Sequence, residues 1–123
     1  MKIIVFSESD YNFSAKLAKI CDLESDELLF LNKFDSLDSF DNKNTLLIVD
    51  FNDYKNHLDL IINLIKSRTN FPVCLLADKI DSKFQKKSTS IGFDIVMAKS
   101  IFLMNIKTIK NQIINNSKYN QKQ

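Results

Sequence analysis

The most informative segment of the chain is Thr45-Leu46-Leu47-Ile48-Val49-Asp50-Phe51-Asn52-Asp53. Its first five residues are apolar or β-branched and do not alternate with polar ones, which is typical of a parallel strand buried on both faces. An ionised carboxylate is rarely buried unless it is paired or bound. We therefore expect Asp50 at the carboxyl end of this strand, where open parallel sheets place their ligands. The alternative is that Asp50 only caps the turn that follows.

Composition indicates a single small domain. With 123 residues, 45% of them hydrophobic, the chain can build one core and not two. Cys21 and Cys74 lie far apart in apolar stretches, so we interpret them as reduced core residues and expect neither a disulfide nor a metal pair. His57 is the only histidine and cannot form a metal cluster by itself. The N-terminus does not read as a signal peptide and no apolar run reaches membrane-spanning length, which favours a cytoplasmic protein.

Charge is distributed unevenly along the sequence. Residues 1–65 contain 6 lysines and 12 acidic residues, a net charge of −6, whereas residues 66–123 contain 11 basic and 3 acidic residues, a net charge of +8. Such polarity bears on partners and association rather than on the fold.

Five apolar runs alternate with segments of helical periodicity. Asp10 or Asn12 is expected to cap the first helix, and the acidic residues 22–27 to end it. One or two helical turns are predicted within 32–44. Gly92 stands where a helix needs a left-handed exit. The predicted strands are 2–6, 28–31, 45–50, 73–77 and 95–98, and the longer helices are 57–68, 79–90 and 100–115.

Polar residues follow three of the predicted strands. Strands that alternate with helices in so short a chain indicate a doubly wound α/β sandwich, whose right-handed crossovers bring all strand carboxyl ends to one edge. Ser7-Glu8 follow the first strand, Asp50 ends the third and Lys99 follows the fifth. We expect Glu8, Asp50 and Lys99 to converge within a few ångströms, with Lys99 neutralising the carboxylates. The alternative for Lys99 is a solvated charge at a strand end.

This order and spacing resembles the receiver domain of bacterial response regulators over about residues 1–115, with 116–123 as a polar tail or the start of a linker. The best-matching pieces are 46–53, 72–76 and Ile91-Gly92-Phe93-Asp94 leading to Lys99. The resemblance implies a flavodoxin-like, three-layer sandwich with a five-stranded parallel sheet in the order 2-1-3-4-5. Helices one and five would cover one face and helices two to four the other. It also implies that Asp50 accepts a phosphoryl group and that Lys99 contacts the phosphate.

The sequence departs from this family at its switch and metal positions. The acid pair that holds Mg²⁺ in the family reads Ser7-Glu8 here. The Thr or Ser that ends the fourth strand is Ala77, and the aromatic residue of the fifth strand is Val96. Ala77 cannot donate the hydrogen bond that draws the fourth loop inward, and Val96 has no ring to follow that movement. Both are expected to act as ordinary packing residues, so a phosphate mimic should change little.

A magnesium site is weakened but not removed by these departures. Glu8, Asp50 and the backbone carbonyl of Asn52 can supply oxygen ligands of the kind that Mg²⁺ prefers. Ser7 removes one negative charge, so the affinity for the cation is expected to fall. Transfer of a phosphoryl group to a carboxylate requires such a cation.

The leading interpretation is an atypical receiver domain, not an enzyme, that works in signal transduction as a phosphorylation-independent interaction or dimerisation module. Its expected partner surface joins residues 83–87 on the fourth helix to Lys107 and Lys110 on the fifth, where positive charge would steer an acidic partner. The alternative for these lysines is a solvated helix face. One rival is a conventional receiver, slowly phosphorylated on Asp50 with Mg²⁺ by a sensor histidine kinase. Another is a small-molecule-binding flavodoxin-like domain. A DNA-binding effector domain could follow the tail, and no membrane partner is expected.

Overall fold

A single parallel sheet organises the chain. The structure is a computed structural model and describes residues 1–34, 37 and 44–115. Its strands pair in the order β2-β1-β3-β4-β5, and every pairing is parallel. This confirms the predicted topology. The strands are β1 (Lys2–Phe6), β2 (Glu27–Phe30), β3 (Thr45–Asp50), β4 (Val73–Ala77) and β5 (Ile95–Ala98).

The helices differ from the prediction mainly at their ends. The first helix ends within the acidic segment 22–27, as predicted: it continues to Glu24 and stops where Ser25 adopts a left-handed conformation at φ 60°. The fourth helix starts later than predicted because Asp81 caps it, accepting a hydrogen bond of 2.8 Å from the Phe84 amide. The helical turns predicted within 32–44 fall largely outside the described residues. The helices are α1 (Tyr11–Glu24), α2 (Phe51–Tyr54), a 3-10 turn (Lys55–His57), α3 (Leu58–Arg68), α4 (Ser82–Ile91) and α5 (Lys99–Asn115).

Two apolar layers sandwich the sheet. Alternate strand residues such as Ile3 and Ile48 pack on one face against α1 and α5, and their neighbours such as Ile4 and Val49 pack on the other face beneath α3. The predicted three-layer sandwich is confirmed for the helices that the structure describes. Cys21 and Cys74 are buried free thiols, as expected of core residues. In the part of the chain that the structure describes, none of the helices has the length and apolar character needed to span a bilayer.

Strand β3 is the centre of the sheet and positions the site. It lies between β1 and β4, and all six of its residues are buried. This explains why its sequence shows no polar alternation. Because the strands are parallel, the residues that end or directly follow β1, β3, β4 and β5 lie along the same edge of the sheet. Those residues are Ser7, Asp50, Asp78 and Lys99.

Gly92 makes the turn from α4 into β5 as predicted. Its φ of +127° is a conformation that residues with a side chain rarely adopt. A Cβ atom at this position would lie 3.1 Å from Cγ1 of Ile62 on α3, so the close approach of the two elements also favours glycine.

Candidate functional site

Asp50 is buried at the carboxyl end of β3 and has three hydrogen-bonding or ionic partners. Only 1% of the surface of Asp50 is exposed to solvent. Oδ1 accepts a hydrogen bond of 3.0 Å from the backbone amide of Asn52, which makes Asp50 the N-cap of α2. Oδ2 accepts a hydrogen bond of 2.8 Å from the Ser7 hydroxyl and lies 3.0 Å from the Lys99 ammonium. Asp50 is therefore both a helix cap and the partner of a buried cation, so the two interpretations of its sequence position hold together.

The Lys99 ammonium lies among three carboxylates. Its Nζ is 2.8 Å from Oδ2 of Asp10, 3.0 Å from Oδ2 of Asp50 and 3.5 Å from Oδ1 of Asp78. The Lys99 side chain is only 8% exposed, and Nζ also lies 5.7 Å from the centroid of the Phe13 ring, within cation–π range. The predicted convergence of Lys99 with Asp50 is confirmed, and the alternative of a solvated Lys99 is wrong.

The electrostatics of this cluster favour the charged forms of its members. Burial opposes the ammonium of Lys99, but hydrogen bonds to Asp10 and Asp50 outweigh that cost and raise the pKa of Lys99. The hydrogen bond from Lys99 is the main reason that the pKa of Asp10 is lowered, and a hydrogen bond from the Phe13 amide adds to it. Lys99 and Asp10 are therefore a charged pair across the neutral range.

Glu8 does not join this cluster, so the prediction that it would converge with Lys99 is wrong. Its carboxylate accepts a hydrogen bond of 3.0 Å from the Tyr54 hydroxyl, and its backbone amide donates 2.7 Å to Oδ2 of Asp53. Asp53 also accepts from the hydroxyl of Ser9 at 2.6 Å. These bonds fasten the loop after β1 to α2 and direct the Glu8 carboxylate toward the tyrosine.

Asp10 and Asp78 are the site residues that sequence reasoning missed. Asp10 was identified only as a helix cap, a role it has through a hydrogen bond of 2.9 Å from the Phe13 amide. Its second oxygen is free to reach Lys99 because a carboxylate accepts at both oxygens. Asp78 directly follows the fourth apolar run, which is the signal that could have found it. It also accepts 3.1 Å from the Asn52 side-chain amide.

Ala77 and Val96 are packing residues of the sheet. Ala77 is 3% exposed and pairs with Ala98 of β5, while Val96 is 7% exposed and pairs with Leu75 of β4. Val96 belongs to the apolar layer beneath α3. Neither position offers a hydroxyl or an aromatic ring toward Asp50.

Mg²⁺ fits this arrangement poorly. Both oxygens of Asp50 already accept hydrogen bonds, and a lysine ammonium lies 3.0 Å from one of them. The Glu8 carboxylate is engaged by Tyr54, and Ser7 brings no charge. Within residues 1–34, 37 and 44–115, no group of three or more His, Cys, Asp or Glu side chains is arranged to hold a metal ion. The role of the Asn52 carbonyl as a ligand stays a prediction.

The basic surface predicted on α4 and α5 lacks one of its predicted members, Lys110. Lys83, Lys86 and Lys87 are exposed along α4. Lys110 was expected to extend this surface and does not, because it is buried and paired with Asp26 and Glu24 at the end of α1. Lys107 also turns to Glu24, at 3.4 Å. The surface prediction is therefore wrong for Lys110, whereas Lys107 remains 73% exposed beside Glu24.

Comparisons with known proteins agree with this architecture. No profile of a protein family and no curated protein matches the sequence. Among solved structures, the chain is similar to the crystal structure of a response regulator in the red light signaling of R. palustris. That similarity has a TM-score of 0.67 and covers 93% of this chain and 94% of the other, at 14% sequence identity. Together with the strand order 2-1-3-4-5, it establishes that this chain has the flavodoxin-like receiver fold.

Proposed function

We propose that the chain is an atypical receiver-like signalling domain that acts as a protein-interaction module and whose output does not depend on phosphorylation of Asp50. The observation that carries the proposal is the closure of Asp50 by groups of its own chain. Ser7 and Lys99 both contact Oδ2 of Asp50, and Oδ1 accepts a hydrogen bond from the Asn52 amide. We also propose that the domain works in the cytoplasm and that it is not an enzyme.

The chemistry of phosphoryl transfer supports this proposal. An attacking carboxylate must reach the phosphorus of its donor, and a divalent cation must neutralise the charge of the transferring group. Asp50 is 1% exposed. The only cation within 4.0 Å of it among the described residues is Lys99, whose charge is shared by Asp10 and Asp78. Little of that charge remains for an incoming phosphate.

The switch positions support it as well. A receiver that signals through phosphorylation needs a group that contacts the new phosphoryl oxygens and an element that moves in response. Ala77 has a methyl group at the first position and Val96 an aliphatic side chain at the second. Both are packed into the fold. A modification of Asp50 would therefore have no hydroxyl at residue 77 and no ring at residue 96 through which to change the surface of α4.

The partner surface that we propose is the exposed face of α4 with the adjoining part of α5. Lys83, Lys86 and Lys87 give that face a positive charge, and no acidic residue lies within Ser82–Ile91. An acidic protein surface is the complementary partner, and association should weaken as salt is added.

A second candidate is a conventional receiver that is slowly phosphorylated on Asp50 by a sensor histidine kinase. The specific observation in its favour is the Asp50–Lys99 pair, which keeps the carboxylate and the lysine of the family together at 3.0 Å. This candidate requires Mg²⁺ to enter beside Lys99, and phosphorylation to displace Ser7 from Asp50.

An Asp50→Asn replacement at the chromosomal locus separates the two candidates. We expect the variant strain to match the wild type in whatever transcript or growth change deletion of the gene produces, because asparagine keeps the shape of the side chain and cannot be phosphorylated. Asp26→Asn is the matched control, since Asp26 is another buried partner of a lysine on α5. A variant strain that resembles the deletion strain, with normal protein abundance and a normal control, would promote the phosphorylated receiver instead.

A further inference from the structure

A groove opens between the start of α3 and the side of α4. Its volume is about 430 Å³. Leu60 at its rim is 70% exposed, which is unusual for a large aliphatic side chain. Phe51 and Phe84 meet edge to face at its base, with ring centroids 4.9 Å apart. The groove therefore offers apolar surface to an incoming side chain.

The charged residues of this groove are mainly basic. Lys55 and Lys87 line it, and among the residues that the structure describes Asp59 is the only acid that does. Lys83 and Lys86 are also exposed on α4 but do not line the groove. An apolar side chain flanked by carboxylates is the chemistry that such a groove complements.

A surface of that chemistry exists on the same chain, where α1 ends and β2 begins. Leu23 is 74% exposed and is preceded by Asp22, which is exposed too. Glu27 and Phe30 lie exposed along β2, and Phe30 keeps 46% of its surface in solvent. Lys19 lies one helical turn before Leu23 on α1. We call Asp22, Leu23, Glu27 and Phe30 together the α1–β2 surface.

The groove and the α1–β2 surface belong to opposite ends of the sheet. Strand β2 is one edge of the order β2-β1-β3-β4-β5, and α4 connects β4 to β5 at the other. The two surfaces cannot meet within one molecule and can meet only between molecules.

We propose that copies of this domain associate head to tail, with Leu23 and the exposed acids Asp22 and Glu27 of one copy seated in the α3–α4 groove of the next copy. This names the partner of the interaction module and so rests on the proposed function. Such a contact joins two different surfaces, so it does not close on itself as a twofold dimer does and allows further copies to add.

The test is a charge swap followed by sedimentation velocity. The groove variant combines Lys55→Glu with Lys87→Glu. The α1–β2 variant combines Asp22→Lys with Glu27→Lys. All four positions are exposed, so both variants should fold. We expect the wild type to associate beyond the dimer, and association to weaken as salt rises from about 0.1 M to about 1 M, over which the screening length falls from about 10 Å to about 3 Å. Each variant alone should associate at least about tenfold more weakly, because like charges then face each other.

An equimolar mixture of the two variants is the decisive sample. The groove variant keeps an intact α1–β2 surface, and the α1–β2 variant keeps an intact groove. The two altered surfaces also complement each other in charge. Wild-type-like association restored by mixing is therefore expected. Three results would each overturn the proposal: a wild type that stays monomeric at low salt, an α1–β2 variant that associates like the wild type, or a mixture whose association does not recover. The first of these results would leave an acidic protein of another kind as the occupant of the groove.

The same experiment on Asp50→Asn separates this inference from the proposed function. If the charge swap works and Asp50→Asn associates like the wild type, both stand. If the swap works but association is lost in Asp50→Asn or gained with acetyl phosphate and Mg²⁺, the head-to-tail contact stands and the phosphorylation-independent function fails. If the swap fails while Asp50→Asn behaves as wild type in cells, only the head-to-tail contact fails.

Discussion

Helix α5 carries two buried lysines, and they serve opposite ends of the sheet. The Lys99 side chain is 8% exposed and lies among Asp10, Asp50 and Asp78 at the carboxyl edge. The Lys110 side chain is 11% exposed and is paired with Asp26, which directly precedes β2, at the amino edge. The two clusters are chemically alike, a buried ammonium that neutralises buried carboxylate, yet only the first lies where parallel sheets place ligands.

The likeness of the two clusters shows that this fold also buries a lysine–aspartate pair away from the edge where parallel sheets place ligands. The clusters differ in their second cation. Asp26 also lies 3.2 Å from the amino group of Met1, whereas Asp50 has Lys99 and the neutral hydroxyl of Ser7. Asp50 therefore depends on one ammonium, and Asp26 on two. We infer that Lys99 holds the Asp50 end together much as Lys110 and Met1 hold the other.

Replacement of each lysine by methionine should give the largest loss of unfolding free energy, and the loss should differ between the two clusters. Lys99→Met leaves Asp50 buried without a cation, and loss of one partner of a buried pair costs about 3–5 kcal/mol of unfolding free energy. Lys110→Met should cost less, about 1–3 kcal/mol, because the Met1 ammonium still neutralises Asp26. Urea unfolding at neutral pH measures both. Equal losses would contradict the view that Asp50 depends on Lys99 alone.

The fold followed from the sequence more fully than the site did. The run at 45–50 predicted its own burial and centrality because a strand covered on both faces has no polar positions. The meeting of Asp50 and Lys99 followed from strand order. The rest of the cluster depends on side-chain directions that strand order does not fix. A hydrogen bond from Tyr54 draws Glu8 aside, and Asp10 reaches Lys99 with the oxygen that its cap leaves free.

Removal of one hydroxyl should sharpen the comparison at a smaller scale. Ser7→Ala deletes the hydrogen bond of 2.8 Å to the buried Asp50, and such bonds to charged groups contribute about 1.5–3 kcal/mol. Ser9→Ala is the matched control, because Ser9 makes the same kind of bond to Asp53 on the surface. We expect the control to cost less than about 1 kcal/mol. Thermal or urea unfolding of the two variants measures the difference, and a larger loss for Ser9→Ala would contradict it.

Acid should weaken the Asp50 end by a smaller and graded amount. The pKa of Asp10 is lowered below its ordinary 3.8, chiefly by the hydrogen bond from Lys99. A lowered carboxyl pKa stabilises the fold above the ordinary value, and this stabilisation is lost as the pH falls through the folded-state pKa. Burial favours the neutral form of Asp53, but hydrogen bonds from Glu8 and Ser9 outweigh it and its pKa is lowered too.

Asp10→Asn should therefore flatten the decline in unfolding free energy below about pH 4 and leave its slope near neutral pH unchanged. On the alkaline side, the raised pKa of Lys99 means that its stabilisation is present below its ordinary 10.5 and is lost as the pH rises through the folded-state value. Urea unfolding across the acid range checks the first expectation. Parallel curves for the wild type and Asp10→Asn would show that this pair does not set the acid response.

The central claim is that Asp50 is closed by its own chain and is not a switch. Its most direct test is a nuclear magnetic resonance titration of the ¹⁵N-labelled protein with beryllofluoride and Mg²⁺, with a phosphorylatable receiver as the positive control. We predict that the amide resonances of Asp50, Asn52 and Ala77, and those of α4, do not shift in this protein while the control saturates. Saturable shifts at Asp50 that spread to α4 would contradict the claim.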